Sequence, residues 1–282
     1  QVRHLKEEQC YELSNAHLVC RVNQRGELIS VKRQGNDREY MSGVGNRFLM
    51  FKDVNTCYDA WELGSMYENL SVELEQKAEI SIVGGPNNAV LQVKKQLLGS
   101  ALEQTIILDH NAECIEFMTD IQWQEKHKLL KVAFPINAYA NEAYHETQFG
   151  YVKYPVHRSY QTDADRYEVC NHRYTALCDE NRGAAVLNDC KYGYSAEGNV
   201  LKIYYIYSAL TNFKRAIFKC ETMEDTGEDG KVFARSFKCK DPESSICHRI
   251  RLYRYLGRAS HFGIQKGGRR LHGRTNQRYF GV

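Results

Sequence analysis

The run Ile115-Glu116-Phe117-Met118-Thr119-Asp120-Ile121-Gln122-Trp123 decides how the chain is read. Its odd positions are apolar apart from Thr119, and three of its four even positions are polar. Successive strand side chains point to opposite faces, so this period of two puts Ile115, Phe117, Ile121 and Trp123 on one buried face. The pattern is that of one strand in a two-layer antiparallel sandwich.

Working outward, the same grammar recurs. Ala16 to Val22, then Asn23-Gln24-Arg25-Gly26, then Glu27 to Lys32 reads as a hairpin in which Gly26 supplies a positive φ. Further strands are expected at Ala89 to Leu97, Gln104 to Leu108, His127 to Phe134, Glu146 to Lys153, Arg166 to Cys170, Ala184 to Asn188 and Val200 to Tyr207. No helical pattern separates them, which predicts an all-β, antiparallel β-sandwich rather than a parallel α/β sheet. Asn188-Asp189 ahead of Cys190-Lys191-Tyr192-Gly193 reads as a strand end entering a turn, with Gly193 in a left-handed conformation. Glu125 and His127 share a face if the strand runs through them, as a structural pair rather than a catalytic one.

With 282 residues, 43% hydrophobic and 26% charged, the chain can bury a sizeable core and is not of disordered composition. Ten cysteines contain no C-x-x-C pair or zinc-like cluster, and several lie in strand-like runs where a thiol acts as a small apolar group. A reduced, cytoplasmic compartment is expected. No apolar run approaches membrane-spanning length, so no membrane contact is expected, and the chain reads as soluble and as a piece of something longer. Charge is uneven: residues 249–282 hold nine Lys or Arg and no acid, leaving a net of −6 on the remainder. Such a tail reads as a contact for nucleic acid or acidic lipid, or as a segment that never packs. It carries no reader motif, and no nucleic-acid partner is assigned.

Gln122-Trp123-Gln124-Glu125-Lys126-His127-Lys128-Leu129-Leu130-Lys131-Val132-Ala133-Phe134-Pro135 and Asn188-Asp189-Cys190-Lys191-Tyr192-Gly193 together resemble the C-terminal β-rich region of the glycoside hydrolase family 38 α-mannosidases, of the cytosolic type. In the same order come Gly45-Asn46-Arg47-Phe48, Tyr58-Asp59-Ala60-Trp61-Glu62, Tyr144 to Gly150 and Tyr167 to Tyr174. The resemblance covers about Leu13 to Ile203 and implies a galactose-mutarotase-like sandwich. It divides the chain into 1–12, a remnant of a preceding region; 13–210, the sandwich; and 211–282, a divergent basic tail with a weak return at Ile250-Arg251-Leu252-Tyr253. Where the family has Arg-Pro-Thr-His, this chain has Tyr154-Pro155-Val156-His157, without the cation.

The resemblance also implies retaining hydrolysis of α-mannosides, or oligomannose glycans, by two carboxylates and a zinc held in an N-terminal catalytic domain. No His here is followed two residues later by Asp, the family's zinc element. We therefore expect no catalytic residue, metal ligand or cofactor in this chain, and no activity from it alone. The candidate substrate contacts are Asp59, Trp61, Glu62, Tyr67 and His157, acids and aromatics of the kind that accept sugar hydroxyls and stack on pyranose faces. The competing reading makes Trp61 a core anchor with its acids in water, and has His157, Glu168 and His172 tying loops together. A stand-alone carbohydrate-binding module built on Trp61 is the alternative from another functional class.

Overall fold

The structure, a computed structural model, describes residues 1–54, 63–74, 77–85, 87–189, 191–208, 246–255, 263–266 and 269–272. It is all-β, and every strand pairing is antiparallel. In chain order come β1 (Val2–Leu5), β2 (Cys10–Ser14), β3 (Leu18–Asn23), β4 (Leu28–Arg33) and β5 (Arg47–Lys52), then a 3₁₀ turn at Tyr67–Asn69. Next are β6 (Ser71–Val72), β7 (Ala78–Ile82), β8 (Asn88–Leu97), β9 (Ser100–Asp109), β10 (Cys114–Gln122), β11 (Lys128–Pro135), β12 (Glu142–Thr147) and β13 (Gly150–Pro155). A short helix α1 (Gln161–Asp165) precedes β14 (Val169–Cys170), β15 (Tyr174–Cys178), β16 (Gly183–Asn188), β17 (Gly193–Glu197), β18 (Val200–Ser208), β19 (Ile246–Tyr255), β20 (Gly263–Lys266) and β21 (Arg269–His272).

Strands β1 to β4 form a meander. A nine-stranded sheet runs β13-β12-β15-β16-β19-β10-β9-β8-β7, a six-stranded sheet runs β14-β17-β18-β11-β5-β6, and β20 pairs with β21. All three larger sheets send apolar side chains into one core: Leu13 and Leu18 from the meander, Leu91, Ile106 and Phe117 from the nine-stranded sheet, Met50, Val132 and Phe134 from the six-stranded one. The rings of Phe117 and Phe134 meet across it at 5.8 Å. Ile115, Phe117 and Ile121 are buried as the period of two requires. Thr119 shares their face and is buried too, because Gln104 Nε2 donates to its hydroxyl at 2.8 Å. Asn46 Nδ2 in turn donates to Gln104 Oε1 at 2.7 Å and to the Gly26 carbonyl at 3.0 Å. This neutral network ties the β3–β4 turn to β9 and β10. Gly26 is required there twice over: its φ is +71°, and a Cβ would stand 2.5 Å from Val93 Cγ1.

Several local expectations need correction. Strand β10 ends at Gln122, and Trp123 lies just past it, half buried and still packed against the core as expected, with an indole N–H that finds no acceptor among the described residues. The chain then breaks rather than running through Glu125 and His127. His127 takes φ +47°, while Glu125 turns to the β8–β9 turn, accepting from the Gly99 N–H at 2.8 Å and the Ser100 hydroxyl at 3.1 Å. Glu146 to Lys153 is not one strand but the facing halves of β12 and β13, folded back at Gln148-Phe149. Of Arg166 to Cys170 only the last two residues are extended. Gly193 has no positive φ; it opens β17, and a Cβ there would lie 2.7 Å from the Tyr204 ring, so close approach is its constraint. Finally, β19, from within residues 211–282, lies inside the nine-stranded sheet between β16 and β10, with Ile250 and Leu252 in the core.

Candidate functional site

Strand β11 is the middle of the six-stranded sheet and is buried on both faces. Leu130, Val132 and Phe134 point into the shared core, while the opposite face carries Leu129, which packs with Phe51 and Tyr67, and Lys131. Lys131 has no exposed surface. Its ammonium spends all three protons: on the Tyr67 hydroxyl at 2.7 Å, Glu168 Oε1 at 2.5 Å and Ser195 Oγ at 2.7 Å. The rings of Tyr204, 4.5 Å away, and Tyr67, 5.1 Å away, present their faces to the charge. The Tyr67 hydroxyl donates a hydrogen bond of its own to Glu168 Oε1.

Each partner comes from a different segment. Tyr67 opens the 3₁₀ turn, Glu168 immediately precedes β14, Ser195 lies on β17 and Tyr204 on β18. A buried charge survives only if paired and hydrogen-bonded, so this site fastens four segments to the back of β11. Burial lowers the Lys131 pKa, an effect the Glu168 carboxylate opposes. Burial and the same carboxylate push the Tyr67 and Tyr204 hydroxyls far up, so both stay protonated. Glu168 Oε2 is buried and accepts from no group among the described residues.

The site opens outward through a second set of charges. Lys202 Nζ donates to Glu68 Oε1 at 2.6 Å and lies 3.5 Å from Glu197 Oε2; Arg158 reaches Glu68 Oε2 at 3.5 Å. The Glu68 pKa is lowered: burial works against ionisation, but Lys202, Lys131 and Arg158 outweigh it.

Of the candidate substrate contacts, Tyr67 stands in this site, with its hydroxyl committed to Lys131 and Glu168. His157 is exposed, pairing Nδ1 with the Ser159 hydroxyl at 2.9 Å, next in sequence to Arg158 on the rim. Asp59, Trp61 and Glu62 lie outside the described residues. The chain enters and leaves that segment close together, since a Cβ on Gly64 would be 3.6 Å from the Val54 carbonyl oxygen, and Tyr167 donates to the Leu63 carbonyl at 2.6 Å beside Glu168. Glu168 was expected to tie loops, which its bonds do. Lys131 was not singled out in the sequence: in Lys128-Leu129-Leu130-Lys131 it looks like one of two solvent-facing cations. The one available signal was its place inside a run apolar on both faces. Among the described residues no three His, Cys, Asp or Glu side chains converge, so they offer no ligand set for a zinc ion.

A family profile described as "Glycosyl hydrolases family 38 C-terminal domain" matches residues 13–211. The chain belongs to this family. Among family 38 relatives, it is 33% identical over 196 residues to Alpha-mannosidase 2C1 of Homo sapiens, covering 68% of this chain and 19% of the relative. It is 35% identical over 196 residues to Alpha-mannosidase G of Dictyostelium discoideum, covering 66% of this chain and 18% of the relative. The chain thus spans about a fifth of the length of the curated relatives it matches. A crystal structure of a glycosyl hydrolase family 38 protein from Enterococcus faecalis superimposes with TM-score 0.65 at 13% identity, over 88% of this chain and 30% of that one. At that identity the likeness speaks for the shared fold alone.

Proposed function

We propose that the chain acts as the C-terminal β-domain of an α-mannosidase, supporting hydrolysis of α-mannosides whose nucleophile and zinc lie in a catalytic domain outside these 282 residues. The observation that carries this is the family 38 match across residues 13–211. In this reading the facing nine- and six-stranded sheets form an antiparallel sandwich of the galactose-mutarotase kind, with the Phe117–Phe134 contact in its seam. The Lys131 site anchors the 63–70 and 167–168 segments, and the Asp59-Ala60-Trp61-Glu62 segment rooted beside them lines the mannoside cleft with His157. The hydroxyl of Tyr67 holds the anchor together, so its contribution to substrate is positioning. The enzyme works in the cytoplasm, as its resemblance to the cytosolic-type mannosidases suggests, and no helix among the described residues is long and apolar enough to cross a membrane.

The test is release of 4-nitrophenol from its α-mannoside. The isolated chain should release none. Fused behind the remaining part of Alpha-mannosidase 2C1, in place of that enzyme's own matching region, it should restore a chelator-sensitive activity that Trp61→Ala reduces. Activity from the isolated chain, or a folded fusion without activity, would contradict the reading.

A further inference from the structure

We propose that the outer face of the nine-stranded sheet at its β13 edge is a pyranose-binding surface, separate from the cleft assigned above. On β12, Ala143 and His145 are buried inward, so Tyr144 and Glu146 point the other way. The register places Lys153 opposite Tyr144 and Tyr151 opposite Glu146, while Tyr174 and Leu187 continue the row on β15 and β16. Three tyrosines therefore surround one carboxylate. The Tyr144 and Tyr151 rings are 5.3 Å apart and inclined at 58°, and the Lys153 ammonium sits 4.9 Å over Tyr144. Glu146 is held in place, accepting from the Arg173 N–H at 2.7 Å through one oxygen. Burial, followed by the Glu146 charge, raises the Tyr174 hydroxyl to about 12, so it stays protonated.

The β12–β13 turn adds a second observation. Phe149 has φ +68° and a fully exposed ring. A bulky side chain in the left-handed region is strained, and a large aromatic in water forgoes burial. Gly150, free of that strain, stands one residue later and takes no positive φ, with nothing within 4 Å of the Cβ it lacks. The turn is nevertheless tied to the β14–β15 connection, since Gln148 Nε2 meets His172 Nε2 at 2.8 Å and the His172 N–H donates to the Glu146 carbonyl at 2.8 Å. Strain retained on a hydrogen-bonded turn points to a ring kept for what it touches.

The exposed rings of Phe149 and Tyr151, beside the half-buried Tyr144 and Tyr174, an acceptor and an ammonium, match a neutral pyranose, whose C–H face stacks and whose rim hydroxyls need partners. An apolar protein partner would leave Glu146 desolvated, together with the pair that Lys153 makes with Glu142 at 3.5 Å. The pyranose class follows from the surface; the choice of mannose rests on the mannosidase reading.

The experiment is calorimetric titration of the 282-residue chain with a soluble α-linked mannooligosaccharide, and separately with a glucose-based one. Binding should weaken roughly tenfold in Tyr151→Ala and in Phe149→Ala and persist in Tyr151→Phe, with unchanged circular dichroism. In the fusion enzyme these variants should leave 4-nitrophenyl α-mannoside hydrolysis unchanged, so failure here and failure of the mannosidase reading are told apart. Binding of the glucose chain alone would retain the surface and remove mannose. No binding of either sugar, binding indifferent to both alanine variants, self-association abolished by them, or loss of aryl-mannoside hydrolysis would overturn the proposal.

Discussion

Strands β10 and β11 follow one another in sequence and press Phe117 against Phe134, yet they treat their second faces differently. In β10 every second residue is buried and its neighbours are half buried or, at Gln122, exposed. In β11 six consecutive residues are buried, and one of them is a lysine. The difference lies in what covers them: β11 has Tyr67 and Glu168 laid across its back, with Tyr204 opposite Lys131 on the neighbouring β18, converting what would have been a solvent face into a charged interior. A period of two therefore reports the core only where one face is left open.

The largest effect that sharpens this contrast belongs to Phe117→Ala, which should cost about 3 to 5 kcal/mol in urea unfolding, as truncation of a buried aromatic does. A loss below about 1 kcal/mol would place the core elsewhere.

Next is a buried group that titrates. His145, inward on β12, is pushed down to about 4 by burial, with Nδ1 on the Thr175 hydroxyl at 3.1 Å and Nε2 without a partner among the described residues. An unfolded histidine binds its proton near pH 6.5, so the native state takes it up later. Stability is full above about pH 6.5 and falls as the pH drops toward 4, by about 2 kcal/mol between pH 7 and pH 5. Comparing unfolding at the two pH values in the wild type and in His145→Asn checks this; an undiminished pH slope in the variant would assign the proton elsewhere.

The neutral network is smaller in consequence. Gln104→Ala strands Asn46 and Thr119 and should cost about 1 to 3 kcal/mol, with no dependence on salt, since no charge is involved. At the bottom of the scale, Phe149→Gly should stabilise the chain by about 1 kcal/mol by removing left-handed strain from an exposed residue. Destabilisation would show that the ring packs in the native chain.

Much of this fold was legible because hydrophobic period and turn chemistry agreed. Strands β3, β4, β8, β9, β10, β11, β16 and β18 stand close to where alternation put them, and Gly26 does what its turn predicted. The misreadings have local causes. The β12–β13 turn has Phe rather than Gly at its positive-φ position, so Gln148-Phe149 gave no turn signal. The Asn188 to Gly193 run looks like a backbone turn, whereas the constraint on Gly193 is the Tyr204 ring, a contact between β17 and β18 that sequence spacing does not carry. Strand β19 left only the weak family signal at Ile250-Arg251-Leu252-Tyr253, because it is set in a basic segment. The site itself was half visible. Tyr67 could be proposed by its nearness to Asp59, Trp61 and Glu62 in sequence, but its partners Lys131, Glu168, Ser195 and Tyr204 are brought together only by sheet register.

The central claim is that Lys131 and Glu168 act as one charged unit holding segments to the back of β11, and a double-mutant cycle tests it most directly. Lys131→Met alone leaves Glu168 uncompensated in the interior and should cost about 3 to 5 kcal/mol. Adding Glu168→Leu should restore much of that loss, giving a coupling of at least about 2 kcal/mol between the two sites. Losses that simply add, with the double variant as unstable as the sum of the singles, would contradict the account.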